Sequence, residues 1–107
     1  MGASKLNIHS KNSNDIAIIA KVFAHPARVS ILQYISKQES CICNDIVDEI
    51  GLAQPTISQH LQVISQAGLL KGDFKGNSLC YCINIERFQE FQELFNSFFI
   101  KLNQSNC

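Results

Sequence analysis

The sequence predicts a mainly helical α+β fold of the winged helix-turn-helix type, with about five helices and a β-wing of two or three strands. Two short helical segments are separated by a turn that contains Gly51, and the second ends at Gly68. Residues 69–84 form two extended runs on either side of Lys-Gly-Asn, which is typical of a hairpin. Two helical segments precede these elements, and a long amphipathic segment follows them.

Length and composition predict one globular domain. The chain has 107 residues, 46% of them hydrophobic and 17% charged, which fits a single packed core. We expect a flexible tail over 1–13, the domain over 14–103 and a second tail over 104–107.

The chain has no apolar run long enough for a membrane span and no apolar segment near its start, so we expect a cytoplasmic protein without a membrane partner. Nine basic and nine acidic residues balance, so nucleic-acid binding must rest on local placement.

The helices before the hairpin are predicted from caps and breaks. Residues 15–24 are apolar nearly all round and predict a buried first helix, capped by Ser13 or Asn14. The pair His25-Pro26 ends it and starts a second helix, because proline suits the first turn. A short third helix, "NDIVDEI", begins after Asn44 as its N-cap.

The helix predicted over 53–68 has a polar outward face without a charged residue. Glutamine can pair with adenine, Ser and Thr can reach bases or phosphates, and nearby cations would contact phosphates. The predicted DNA-binding residues are Gln54, Thr56, Ser58, Gln59, His60, Gln62, Lys71, Lys75 and Arg28. The alternative is that this face is only solvated.

The final helix carries more apolar surface than one small domain can cover. Its stripe consists of Phe88, Phe91, Phe95, Phe98 and Leu102. We therefore predict a homodimer interface, although part of the stripe must pack on its own core. Two recognition helices about 34 Å apart would read an inverted repeat in double-stranded operator DNA.

Two Cys-x-Cys pairs are candidate ligands. Cys41 and Cys43 precede the predicted cap Asn44, so extended geometry can place both thiols on one side. Cys80 and Cys82 share one face of the second hairpin strand, while Leu79, Tyr81 and Ile83 are predicted to face the core. If the segment before the third helix pairs with this strand, all four thiols face the same way. Such a pocket suits As(III), Sb(III), Zn(II) or Cd(II), with none required for folding.

The stretches "AHPARVSIL", "ESCICNDI", "AQPTISQHLQVISQAGLL" and "CYCIN" resemble the ArsR/SmtB family of metal-responsive repressors. The resemblance implies a homodimeric winged-helix repressor that leaves its operator when an inducer binds, with a metal box at Cys41 and Cys43. Ala53 and Ser30 depart from the family's usual Ser and Arg, which weakens a helix cap and removes one phosphate contact. Ile46 replaces the usual third cysteine, so a third ligand would be Cys80, Cys82 or Cys107. The final helix lacks the Asp and His ligands of the family's zinc site.

Other functions remain open from the sequence. The same DNA-binding repressor could carry a cysteine redox or persulfide switch, in which Cys41 or Cys43 bridges to another cysteine. The uncharged recognition helix also fits a protein-interaction module that binds no DNA. No catalytic set of residues is discernible, so we expect a protein that is not an enzyme.

Overall fold

The computed structural model describes residues 8–39, 41–42, 49–76 and 78–104. This part of the chain contains four helices and a two-stranded antiparallel hairpin, which confirms the mainly helical winged fold. In chain order the elements are α1 (Lys11–Val22), α2 (Pro26–Ser36), α3 (Gln54–Gln66), β1 (Leu70–Lys75), β2 (Ser78–Ile83) and α4 (Ile85–Asn103). Glu49 and Ile50 are helical, whereas most of the predicted "NDIVDEI" helix lies outside the described residues.

Helix α1 begins earlier than the sequence predicted. Its N-cap is Ser10, whose Oγ accepts a hydrogen bond from the Ser13 N–H at 3.0 Å, so the predicted cap at Ser13 or Asn14 is wrong. An ion pair of 3.1 Å between Lys11 and Asp15 joins the first two turns. The helix is also less buried than expected. Ile18 is 46% exposed, so burial is confined to one side of α1.

Helix α2 starts at the predicted break. His25 is its N-cap, and the Nδ1 atom of His25 accepts a hydrogen bond from the Ala27 N–H at 3.1 Å. Pro26 occupies the first turn, where its missing N–H costs no helical hydrogen bond. The side chains of Ile31, Leu32 and Ile35 then point into the core.

Helix α3 is the predicted recognition helix, and it leads directly into the wing. Its N-cap Ala53 makes no side-chain hydrogen bond, as the missing serine predicts. Gly68 has a φ of +84°, a left-handed conformation that turns the chain from α3 into β1. The hairpin register places Leu70 opposite Ile83 and Lys75 opposite Ser78.

The core lies between the helices and the base of the hairpin. Its buried members include Ile19, Val22, Ile31, Leu32, Ile35, Ile42, Ile57, Leu61, Ile64, Leu69, Leu70 and Phe91. None of the helices in the described part of the chain is both long and apolar enough to cross a membrane.

Helix α4 is tied to the end of α3 by hydrogen bonds. Asn84 caps α4, and its Nδ2 donates to the Gly68 carbonyl at 2.9 Å. The Nε of Arg87 donates to the Ala67 carbonyl at 3.3 Å, and its guanidinium lies 4.2 Å from the centre of the Phe91 ring. The carbonyls of the two residues that follow α3 therefore accept hydrogen bonds from α4.

Candidate DNA-binding surface and thiol site

Helix α3 has a buried apolar face and an exposed polar face. Ile57, Leu61 and Ile64 are buried against the core. The opposite face exposes Gln54, Ser58, Gln59 and Gln62, with Thr56 and His60 half-buried at its margins. Gln54 Nε2 donates to Ser58 Oγ at 3.2 Å, so these two side chains hold each other at the first turn. The face offers hydrogen-bonding groups and no charge, which suits the reading of base edges.

His60 contacts His25, which the sequence predicted only as part of the break between two helices. The ring centroids of His25 and His60 are 4.5 Å apart. Burial lowers the pKa of His60, and the nearby His25 and Arg28 lower it further. A polar residue directly before a helix-starting proline is the signal that could have identified His25 as a cap.

The predicted phosphate contacts differ in their surroundings. Lys71 is exposed on β1, whereas the side chain of Lys75 lies outside the described part of the structure. Arg28 is half-buried, and its Nη1 donates to the Lys21 carbonyl at 3.2 Å. The Nε atom of Arg28 is buried without a hydrogen-bond partner. Arg28 therefore joins α2 to the end of α1 while remaining next to the recognition helix.

The segment before the predicted third helix pairs with the wing, which was the condition for the cysteines to face the same way. Ile42 and Tyr81 form an antiparallel bridge, with N–H to carbonyl distances of 3.0 and 2.8 Å. Beside this bridge Cys41 and Cys82 form a disulfide, with their Cα atoms 4.6 Å apart. Cys43 and Cys107, also proposed as ligands, lie outside the described residues.

The two faces of β2 are not divided as predicted. Tyr81 and Ile83 pack against the core, but Leu79 is 39% exposed, so its predicted core position is wrong. Leu79 pairs with Phe74, which is 69% exposed, in the half of the hairpin next to its turn, so the core does not cover this pair. On the other face Cys80 is fully buried.

The predicted interface stripe on α4 divides into two parts. Phe91 is 3% exposed and belongs to the core, so it is not available to a second chain in this conformation. Phe88 and Phe95 are half-buried against the same core. Phe98 and Leu102 are 37% and 53% exposed and lie in the second half of the helix.

The chemistry of the described thiols fits a soft ion, although a complete site is not assembled. Among the described residues, no group of three or more His, Cys, Asp or Glu side chains is placed to hold a metal ion. Cys41 and Cys82 supply two adjacent sulfur atoms, and thiolates prefer soft metals and metalloids. In their reduced form they would be two of the three or four ligands that such ions need.

The chain is similar to known regulators over most of its length. The model of the "Bacterial regulatory protein, arsR family" matches residues 25–71. A helix-turn-helix transcriptional regulator from Methanocaldococcus jannaschii, itself described as uncharacterized, is 38% identical over 73% of this chain and 88% of its own. The arsenical resistance operon repressor of Staphylococcus xylosus is 32% identical over 67% of this chain and 68% of its own.

Solved structures share the fold. The homodimeric winged helix-turn-helix DNA-binding domain of a Mycobacterium bovis protein superposes with a TM-score of 0.65, at 19% identity, over 92% of this chain and 95% of its own. Together with the exposed polar face of α3, the sequence relatives favour DNA binding over a protein-interaction module. The chain belongs to the arsR family of bacterial regulatory proteins, and it is a DNA-binding transcriptional regulator, not an enzyme.

Proposed function

We propose that this protein is a homodimeric repressor that binds an inverted-repeat operator and releases it when a thiophilic inducer binds its cysteines. The observation that carries the proposal is the uncharged polar face of α3, held outward by the buried Ile57, Leu61 and Ile64. Gln59 and Gln62 would read base edges in the major groove. Lys71, Lys75 and Arg28 would contact phosphates and supply most of the affinity.

The proposed dimer would use the second half of α4. Phe98 and Leu102 are joined there by Phe99 and Ile100, which are also exposed. Covering this patch with a second copy would remove apolar surface from water and set two recognition helices on one operator. The M. bovis domain of the same fold is described as homodimeric, which supports the proposal of a dimer.

The proposed inducer is a thiophilic metalloid such as As(III) or Sb(III), with Cd(II) and Zn(II) as further candidates. Cys41 and Cys43 are the proposed first ligands. The relative from S. xylosus is named as an arsenical resistance operon repressor, which supports a metalloid. A bound ion would form strong bonds to the cysteine sulfurs. It would release DNA if these bonds stabilise a conformation that does not fit the operator.

A redox switch is the second candidate, and the Cys41–Cys82 disulfide favours it. Formation of this bond removes two protons and two electrons from the two thiols, and a hydrogen peroxide molecule would accept them and become two waters. A polysulfide could oxidise the same pair through a persulfide.

A gel-shift titration of the reduced protein on its own promoter tests both candidates. We expect specific binding that weakens steeply as salt rises, and release by stoichiometric arsenite while a phosphine reductant is present. Release by peroxide or polysulfide, but not by arsenite, would contradict the metalloid inducer and favour the redox switch. Binding that does not depend on the promoter sequence would refute the proposed operator-binding function.

A further inference from the structure

We propose that the wing itself provides an inducer ligand, Cys82, which binds a three-coordinate metalloid together with Cys41. This inference rests on the proposed function and assigns the ligand that the Cys41 and Cys43 pair lacks. It also identifies the contact between the wing and the segment before the third helix as the point where the inducer acts.

The Ile42–Tyr81 bridge makes this pair of ligands geometrically specific. In an antiparallel pair, the residues that flank a hydrogen-bonded pair oppose each other at close range. Cys41 and Cys82 are such residues, and their Cα atoms are 4.6 Å apart. At this separation two reduced thiols can bind one ion without movement of the backbone. Because the residues are 41 positions apart in the chain, one bound ion would join two separate parts of the fold.

The same strand carries a third thiol, although these three described thiols do not form an assembled metal site in this structure. Cys80 lies two residues from Cys82 and therefore on the same face of β2. Its side chain is fully buried, and it is likewise disulfide-bonded, so each described cysteine has another sulfur beside it. After reduction, Cys80 would supply the third thiolate that As(III) or Sb(III) takes.

The structure also provides an entrance. A cavity of about 410 Å³ borders both Cys41 and Cys82, and the exposed residues Gln38 and Glu39 also line it. Both cysteines are half-buried, in contrast to the fully buried Cys80. A small uncharged molecule such as arsenous acid can therefore reach the first two sulfur atoms from solvent.

The position of Cys82 links the site to the DNA-binding surface. Cys82 lies directly opposite Lys71 in the hairpin, so the two side chains share a face. Leu69 connects this part of β1 to α3, and its N–H donates to the Ile64 carbonyl at 3.3 Å. An ion that joins Cys82 to Cys41 would therefore restrain the part of the wing that carries the phosphate-contacting Lys71 and that follows the recognition helix.

The test compares Cys82→Ser with Cys107→Ser, which removes the alternative third ligand near the C-terminal end of the chain. Under phosphine reductant, full-length proteins are titrated with Cd(II), and thiolate charge-transfer absorption and chelator competition give stoichiometry and affinity. Because outer-shell substitutions already weaken metal sites by roughly 10- to 100-fold, loss of a ligand should cost on the order of 100-fold or more. Cys41→Ser should match Cys82→Ser, and Cys107→Ser should match the wild type.

Arsenite release of operator DNA is the second readout. Measured against its own operator affinity without arsenite, Cys82→Ser should require far more arsenite for release than the wild type does. Wild-type Cd(II) affinity and wild-type release in Cys82→Ser would overturn the proposal. If no variant binds the operator, the proposed repressor function fails, and the Cd(II) titration still decides whether Cys82 is a ligand. If Cys82→Ser is misfolded by circular dichroism, Cys82→Ala is used for both readouts.

Discussion

Helices α3 and α4 are both amphipathic, yet they use their apolar residues differently. In α3 the large apolar side chains are buried within the protomer, and what remains outside is uncharged and polar. In α4 only Phe91 is buried among the described residues, and the second half exposes Phe98, Phe99, Ile100 and Leu102.

This difference indicates the chemistry of each helix's partner. The outer face of α3 can gain little from apolar burial and much from hydrogen bonds, as expected for contact with DNA. The outer half of α4 offers hydrophobic stabilisation that only another apolar surface can provide. Substitutions on the two helices should therefore affect different measurements.

The largest effect is expected from the buried side of α3. Ile64→Ala should lower the free energy of unfolding by about 3 kcal/mol, because it leaves a cavity in the core. Ile64 is fully buried, and Leu69 packs in the same cluster. Urea denaturation of the reduced protein at fixed concentration measures the change. Gln62→Ala, on the exposed side of the same helix, should change stability by less than ~0.5 kcal/mol. Equal losses for both variants would contradict the amphipathic assignment.

The next effect concerns the exposed half of α4. Phe98→Glu combined with Leu102→Glu should give a monomer in sedimentation and weaken operator binding by about 100-fold or more, because the avidity of two half-sites is lost. Gln89→Glu combined with Gln92→Glu adds the same charge at exposed positions of the first half and should remain dimeric. A charged α4 variant that stays dimeric with full affinity would exclude this patch as the interface.

A smaller effect is expected from one base-reading side chain. Gln59→Ala should weaken specific operator binding about tenfold, which corresponds to the loss of one bidentate base contact. Stability should not change, because Gln59 is exposed. The exposed Gln33→Ala on α2 serves as the control. Competition gel shifts with operator and random DNA separate specific from non-specific binding, and an equal loss on both would assign Gln59 to phosphate contact instead.

The smallest effect is a pH dependence that arises where α3 meets α2. The pKa of His60 is lowered from 6.5, so the folded state favours the neutral ring and the unfolded chain binds more protons below that pH. Stability contributed by neutral His60 is complete above pH 6.5 and declines as pH falls below it. His60→Gln should therefore reduce the loss of urea stability on acidification. Gln62→Ala, at an exposed position of the same helix, should keep the wild-type pH profile, and identical profiles for both variants would contradict this assignment.

Local signals predicted much of the fold correctly. The break at His25-Pro26, the left-handed glycines Gly51 and Gly68 and the hairpin turn all act through backbone preferences of a few neighbouring residues. The predicted start of α1 was wrong because several polar residues in this segment can cap a helix. The ion pair between Lys11 and Asp15 favours a helix that begins one turn earlier. The predicted core position of Leu79 was wrong because alternation along a strand does not show how far along that strand the core extends.

The sequence by itself determined the elements of this protein: the recognition helix, the wing, and the alternation that places paired thiols on one face of an extended segment. Only the tertiary structure decided which surfaces meet. It buried Phe91 and left Phe98 and Leu102 exposed, and it brought Cys41 beside Cys82 through the Ile42–Tyr81 bridge. The physical reason is the distance along the chain over which each interaction acts. Backbone preferences and periodicity act over a few residues, whereas burial and strand pairing depend on parts of the chain that only folding brings together.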